Sequence, residues 1–255
     1  ADFTQGRRLY ELSHIPQAHF LDIETDLSGE KTGQNGRHPL PDLEQLAKKL
    51  AQLGMNHDTQ VVFYDDAGGM MAARGWWLLR AMGHSAVAVL DGGIQAWENT
   101  GNILTHQLPD AKPVGNFQLK PSLMRVLSVQ EVQNHLNSGH QLLIDARSPE
   151  RFRGEVEPID PVAGHITGAV NRFCNENLQT NLHFKSEELL RSEWQAIAGT
   201  HPVAEWVLYC GSGITASHNL LSLDVAGLDI STHGAGLYAG SWSEWISDPN
   251  RPREP

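Results

Sequence analysis

The chain has 255 residues, of which 40% are hydrophobic and 19% charged, with 24 Gly and 13 Pro. That composition fits one large or two small globular domains and excludes a wholly disordered or fibrous chain. Nineteen Lys and Arg against thirty Asp and Glu leave a net charge of −11, spread evenly as 9 basic and 14 acidic residues in 1–115 and 10 and 16 in 116–255. With no basic stripe, nucleic acid is excluded as a partner. The apolar runs, such as Val61-Val62-Phe63-Tyr64, are too short to span a membrane. Residues 1–8 hold no apolar signal core, and Cys174 and Cys210 are too few for a disulfide framework, so a reduced, cytoplasmic protein is expected. None of the 13 His sits in an HExxH pair or beside a CxxC, and no metal site is expected.

In chain order, the first anchor is His14-Ile15-Pro16. Residues 61–65, Val-Val-Phe-Tyr-Asp, read as a strand buried on both faces. The small-residue loop Asp66-Ala67-Gly68-Gly69 follows, and a helical pattern runs from Ala72 to Ala81. Next come Asp91-Gly92-Gly93-Ile94-Gln95-Ala96-Trp97 and a proline-bearing connector with one extended piece at 116–119. A second series then begins. Residues 141–145, Gln-Leu-Leu-Ile-Asp, form an apolar strand, and His165-Ile166-Thr167 matches His14-Ile15-Pro16 at an offset of 151. The strand at 206–210, Trp-Val-Leu-Tyr-Cys, matches 61–65 at an offset of 145, and its loop and helix (Thr215 to Ala226) follow in the same order. Gly240-Ser241-Trp242-Ser243-Glu244-Trp245 closes the series, at an offset of 148 from the segment around Gly92.

Three ordered matches with nearly constant offsets predict two copies of one α/β domain, each a mostly parallel sheet flanked by helices. The expected division is a first domain over 1–108, a linker over 109–124 and a second domain over 125–255. The strand at 141–145 has no counterpart in the first copy. The first domain is therefore expected to lack its opening strand, as if the chain started one strand late.

Cys210 closes a buried strand and opens the loop Cys210-Gly211-Ser212-Gly213-Ile214-Thr215-Ala216, which enters a helix. Two glycines let the backbone curl so that N–H groups converge, and a helix N-terminus adds partial positive charge. Such a nest lowers a thiol pKa and holds an anionic sulfur. The other reading of a Cys at a strand end is plain packing. The first copy carries Asp65 at the same place, an exchange that packing alone rarely tolerates, so the two loops read as one active copy and one inactive. A phosphatase loop would need Arg six residues after the Cys, where this chain has Ala216. A GxSxG elbow is absent because Gly211 and Gly213 flank Ser212 directly.

The tandem copies, the Cys210–Ala216 loop and the Gly240–Trp245 segment resemble rhodanese-type sulfurtransferases. The loop is most similar to that of the 3-mercaptopyruvate sulfurtransferases, beside the related thiosulfate sulfurtransferases. The resemblance implies that Cys210 takes a sulfane sulfur from a small-molecule donor as a persulfide. A thiol, cyanide or a protein dithiol, such as a thioredoxin-like protein, would accept it, with no cofactor. It implies donor-binding roles for Arg151 in Asp145-Ala146-Arg147-Ser148-Pro149-Glu150-Arg151-Phe152, and for Gly211, Gly213, Ile214 and Thr215 of the loop. Arg147, Arg153 and Cys174 are expected to be structural.

The same resemblance implies a relay of Ser212 with His38 and Glu24 of the first domain, Glu24 standing where the family has Asp. That would place the site between the domains. The clues to the donor disagree. Asp160 stands where mercaptopyruvate enzymes carry a second Arg, and an acid there is expected to repel a carboxylate. Thiosulfate enzymes instead carry basic residues after the Cys, where this chain has Gly211 and Ser212. A rival reading is a sulfur-carrying or partner-binding rhodanese module without turnover.

Overall fold

The computed structural model describes residues 4–136 and 140–255. The first half contains helix α1 (Thr4–Leu12), α2 (Leu43–Gln52), strand β1 (Val61–Phe63), α3 (Ala72–Ala81), β2 (Val87–Val89) and α4 (Gly93–Asn99). The second contains β3 (Arg125–Leu127), α5 (Val129–Leu136), β4 (Leu142–Asp145), α6 (Pro149–Phe152), β5 (His165–Ile166) and β6 (Val170–Asn171). It continues with α7 (Glu187–Ala198), β7 (Trp206–Tyr209), α8 (Thr215–Val225), β8 (Gly236–Tyr238), α9 (Ser241–Trp245) and β9 (Arg253–Glu254). No helix among the described residues is long and apolar enough to cross a membrane.

The second half is organised by a five-stranded parallel sheet in the order β3-β8-β7-β4-β6. Its central strand β7 is buried at all four positions, as a parallel strand covered by helices on both faces must be. Each of Val207 and Leu208 removes an aliphatic side chain from water, worth about 2 kcal/mol. On one face α7 lays down Leu190, Trp194 and Ala198 at helical spacing, after Ser186 caps its start by accepting a hydrogen bond from the Leu189 N–H.

The first half is sparser. Among the described residues β1 pairs only with β2, and Val62 is 53% exposed. The expected two-sided burial of this strand therefore fails: the face that carries Val62 meets solvent. The expected extended piece at 116–119 forms no strand. It is bound by backbone hydrogen bonds from Phe117 N to Met55 O and from Lys120 N to Met82 O, which lay the connector along the first half.

The duplication is visible in three dimensions as repeated hydrogen bonds. Ile15 N donates to the Tyr64 hydroxyl as Ile166 N donates to Tyr209. His14 bonds the Tyr10 carbonyl and stacks on that ring; His165 does the same with Phe152. Ile94 N donates to Asp65 O as Trp242 N donates to Cys210 O, and the residues just before them, Gly93 and Ser241, share a left-handed φ of 60° and 56°. The halves meet where the two matching helices α3 and α8 pack together.

His218 of α8 is sealed in this contact. Its Nε2–H donates to the Gly68 carbonyl at 3.1 Å, its Nδ1 accepts from Asn177 at 3.2 Å, and its ring stacks on Phe184. Burial lowers its pKa from 6.5 to about 4, although the Gly68 carbonyl and Asp65 act in the opposite sense. The unfolded chain therefore binds this proton more readily than the folded one between pH 6.5 and 4, and stability falls as pH drops through that window. Denaturant unfolding is expected to show a loss of about 2 kcal/mol at this position between pH 7 and pH 5. A pH dependence unchanged in His218→Gln would show that the penalty lies elsewhere.

Candidate active site

Cys210 follows β7, and its loop is held from behind by α9. Cys210 N donates to Ser241 Oγ, while Trp242 N and Ser243 N donate to the carbonyls of Cys210 and Gly211. Fastened in this way, the loop turns its amides toward the sulfur. Sγ accepts from Gly213 N at 3.1 Å and Ser212 N at 3.4 Å. Gly213 has φ +83°, and a Cβ there would collide with the Ala239 carbonyl oxygen, so the curl requires glycine. Ile214 is buried and leads into α8, but neither it nor Thr215 donates to Sγ among the described hydrogen bonds. Thr215 instead hydrogen-bonds Cys174.

The matching loop of the first half is closed by its own anion. The Asp65 carboxylate accepts the N–H groups of Ala67, Gly69, Met71 and Ala72. Amides that converge on a sulfur in one copy thus converge on a resident carboxylate in the other.

Ser212, His38 and Glu24 come together although 174 residues separate the first two in the chain. Ser212 Oγ lies 2.7 Å from His38 Nδ1, and His38 Nε2 lies 2.8 Å from Glu24 Oε1. Burial pushes the Glu24 pKa up, but hydrogen bonds from Lys31 and His38 outweigh it and leave the carboxyl below its usual range. An ionised Glu24 can only accept, which puts the imidazole proton on Nε2 and leaves Nδ1 to accept from Ser212. Burial also holds the His38 pKa below its ordinary value despite Glu24, so the ring is neutral at pH 7.

The relay segment is anchored by Arg74, which is fully buried on α3. Its guanidinium donates to the carbonyls of Leu27, His38 and Pro39 and, across to the Cys210 loop, of Gly213. Desolvation lowers its pKa to about 10, with the charge of Cys210 acting in the opposite sense, so it stays a cation at neutral pH.

Arg151 lies beside Gly211, its guanidinium 3.6 Å from where a Cβ of that glycine would be. It is gripped by Glu157 and Asp160. Asp160, the acid expected to repel a carboxylate, is paired: its side chain is 1% exposed and receives both Arg151 and a forked pair of bonds from Arg37. Arg147 is buried against Asp145 and the face of Trp242, and Arg153 pairs with Glu155 in solvent. Cys174 is buried, which pushes its thiol up to about 12. A thiol that stays protonated to so high a pH is a poor nucleophile.

Two residues of this site escaped the sequence reading. Arg37 stood next to His38 in Gly36-Arg37-His38-Pro39. Arg74 was one of two arginines in an otherwise apolar helix, a pattern that signals a buried partner. At Gly213, replacement by Ala is expected to lower stability by about 1–3 kcal/mol through the left-handed backbone and the Ala239 clash. It should also slow alkylation of Cys210 by opening the nest. Melting and iodoacetamide kinetics measure both, and a variant with wild-type values would show that the loop tolerates another curl.

The geometry agrees with what the chain is similar to. The rhodanese-like domain family matches residues 4–100 and again 128–248. A Pseudomonas aeruginosa protein named "Probable 3-mercaptopyruvate sulfurtransferase" is 47% identical over 253 residues, covering 98% of this chain and 87% of that protein. Mouse thiosulfate sulfurtransferase is 32% identical over 249 residues, covering 95% and 80%. The structure of EanB with ergothioneine superposes with a TM-score of 0.81 at 23% identity; it is a likeness of fold, covering 98% of this chain and 62% of that longer one. With two matched segments that share one fold and one pattern of hydrogen bonds, the chain belongs to the rhodanese-like family.

Proposed function

We propose that the chain is a sulfurtransferase that carries sulfane sulfur as a persulfide on Cys210, with the reacting half at 125–255 and the relay supplied by 1–108. The observation that carries this reading is the sulfur of Cys210 held under the Ser212 and Gly213 amides, beside the Ser212–His38–Glu24 chain. The thiolate attacks the donor sulfur and an S–S bond forms. With 3-mercaptopyruvate the C–S bond breaks, and its electron pair leaves as the pyruvate enolate, which then takes a proton. With thiosulfate an S–S bond breaks and sulfite leaves. In both cases the negative charge ends on the outer sulfur, where the loop amides and the start of α8 stabilise it.

The relay favours 3-mercaptopyruvate. Only that donor needs a proton moved during the step: its thiol proton passes through Ser212 to Nδ1 of the neutral His38 as the C–S bond breaks and returns from His38 to the enolate carbon, which leaves the persulfide anionic. The thiol, cyanide or protein dithiol that takes the sulfur attacks the outer atom and regenerates the thiolate. A thioredoxin-like protein fits the dithiol role. Two unpaired cysteines suit a reducing compartment, and we place the protein in the cytoplasm. A carrier module without turnover is the second reading, favoured by Cys210 being only 2% exposed. Steady thiocyanate production from cyanide excludes it.

Incubation with 3-mercaptopyruvate, followed by intact mass measurement, should add one sulfur atom to the wild type and to Cys174→Ser but none to Cys210→Ser. An unmodified wild type after both donors would overturn the sulfurtransferase reading. Because burial keeps His38 neutral to below its ordinary pKa, the rate of persulfide formation from 3-mercaptopyruvate should hold from pH 8 down to about 6.5 and fall only in more acid solution. His38→Gln should lower the rate about 10²- to 10³-fold and abolish that acid limb. A retained limb would assign it to another group.

A further inference from the structure

Each half sends one side chain across the α3–α8 contact to the loop of the other. Arg74 Nη1 donates to the Gly213 carbonyl at 3.4 Å, and His218 Nε2–H donates to the Gly68 carbonyl at 3.1 Å. Gly68 and Gly213 are matching residues, at the offset of 145 that relates the strands before them. The same carbonyl is thus held in both copies, but by different chemistry. Burial lowers the His218 pKa to about 4, so the first loop is held by a neutral donor at pH 7. Gly213 O already has a neutral donor as well, Ser217 Oγ at 3.0 Å. Holding this carbonyl therefore does not require the positive charge of Arg74, which is 0% exposed. A charge buried so deeply is costly unless an opposite charge answers it.

The other charges around the Cys210 loop match in pairs. Arg37 and Arg151, beside Gly211, are held by Asp160 and Glu157, whose side chains are 1% and 4% exposed, and Arg147 by Asp145. Glu24 has Lys31, His38 is neutral, and Cys174 stays protonated. Asp65 is taken up by four amides of its own loop. Of these cations Arg74 alone lacks a carboxylate among the described residues. Desolvation lowers its pKa to about 10, and the charge that acts against this is that of Cys210. One residue separates the guanidinium from the sulfur. Gly213 N donates to Sγ at 3.1 Å, while Gly213 O accepts from Arg74. Because a residue spans at most about 3.6 Å, the two charges lie within roughly 10 Å of each other. Cys210 is itself 2% exposed, so little water stands between them to screen the attraction.

We propose that Arg74 is the buried counter-ion of the reacting sulfur, favouring Cys210 as a thiolate before transfer and the persulfide as an anion after it. Arg74 touches neither donor nor acceptor. It is a positioning residue that fixes where negative charge rests, from the half that holds no reacting sulfur. The matched contact carries a neutral His218 because the anion of the first loop, Asp65, is already held by its own amides. The persulfide part of this inference rests on the sulfurtransferase reading; the thiolate part does not.

The thiol itself reports the charge. In Cys174→Ser protein, the rate of Cys210 alkylation by iodoacetamide against pH gives the midpoint of its ionisation. Arg74→Gln should raise that midpoint by about one pH unit, the size expected of a charge roughly 10 Å away in a partly dry site. Below both midpoints this is about tenfold slower alkylation. Arg74→Lys keeps a cation and loses the fork, and should restore at least about half of the shift. His218→Gln disturbs the matched contact without changing charge at pH 7 and should leave the midpoint in place. A mere clamp between the halves would lower the melting temperature in all three variants and not separate Lys from Gln. Equal midpoints in wild type and Arg74→Gln, or equal shifts in Arg74→Gln and Arg74→Lys, overturn the proposal. If Arg74→Gln fails to fold, the wild type still decides. A buried counter-ion leaves its midpoint within about 0.2 unit between about 0.05 and 1 M salt, and a rise of about half a unit or more assigns the effect to exposed cations and overturns the proposal. A wild type that takes up no sulfur from either donor overturns the sulfurtransferase reading and leaves the thiolate result standing.

Discussion

Arg74 is a cation sealed from water with no carboxylate partner among the described residues; carbonyls of four residues accept from its guanidinium, which also lies 6.0 Å from the centre of the Trp77 ring. Hydrogen bonds to a charged group are each worth about 1.5–3 kcal/mol, and an unsolvated guanidinium would cost more than the fold could bear. Three of those carbonyls, of Leu27, His38 and Pro39, belong to the segment that carries the relay; the fourth, of Gly213, belongs to the sulfur loop. The same side chain that must be solvated therefore sets the distance between His38 and Ser212. Packing of α3 on α8 holds the halves together, but Arg74 sets the register in which they serve one site.

The duplicated frame shows how one backbone arrangement supports two outcomes. Ile94 N on Asp65 O and Trp242 N on Cys210 O fasten the two loops alike, with a left-handed residue before each. What differs is the group under the amides. In the first loop a carboxylate takes up the amides of Ala67, Gly69, Met71 and Ala72, whereas in the second a sulfur accepts from only two amides.

Charge at the entrance is arranged by depth. Asp160 and Glu157 are sunk beneath Arg151 and Arg37, so four charges that cancel in sum still present a positive face. Depth also separates the two cysteines. Burial drives the Cys174 thiol far up, while Cys210, equally buried, has the loop amides for partners.

Much of this was legible without coordinates because it is local or repeated. Val61–Asp65 and Trp206–Cys210 each declare a strand, a small-residue loop and a helix within twenty residues. The Cys210–Ala216 loop is one contiguous curl, so its glycines and its cysteine could be read together. The relay of Ser212, His38 and Glu24 was reachable only through resemblance, since nothing in the spacing of these residues points one to another. Arg37, Arg74 and the true setting of Asp160 were not legible at all. A charge in a sequence has no depth and no partner; those come from segments more than a hundred residues away, brought together by the packing of two halves. Sequence by itself determined the duplicated α/β frame and the loop that curls around Cys210, because backbone geometry and short-range patterning suffice for both. Which cations face the sulfur, and which acids stand behind them, only the tertiary structure decided, because electrostatics depends on distance through space and on exclusion from water.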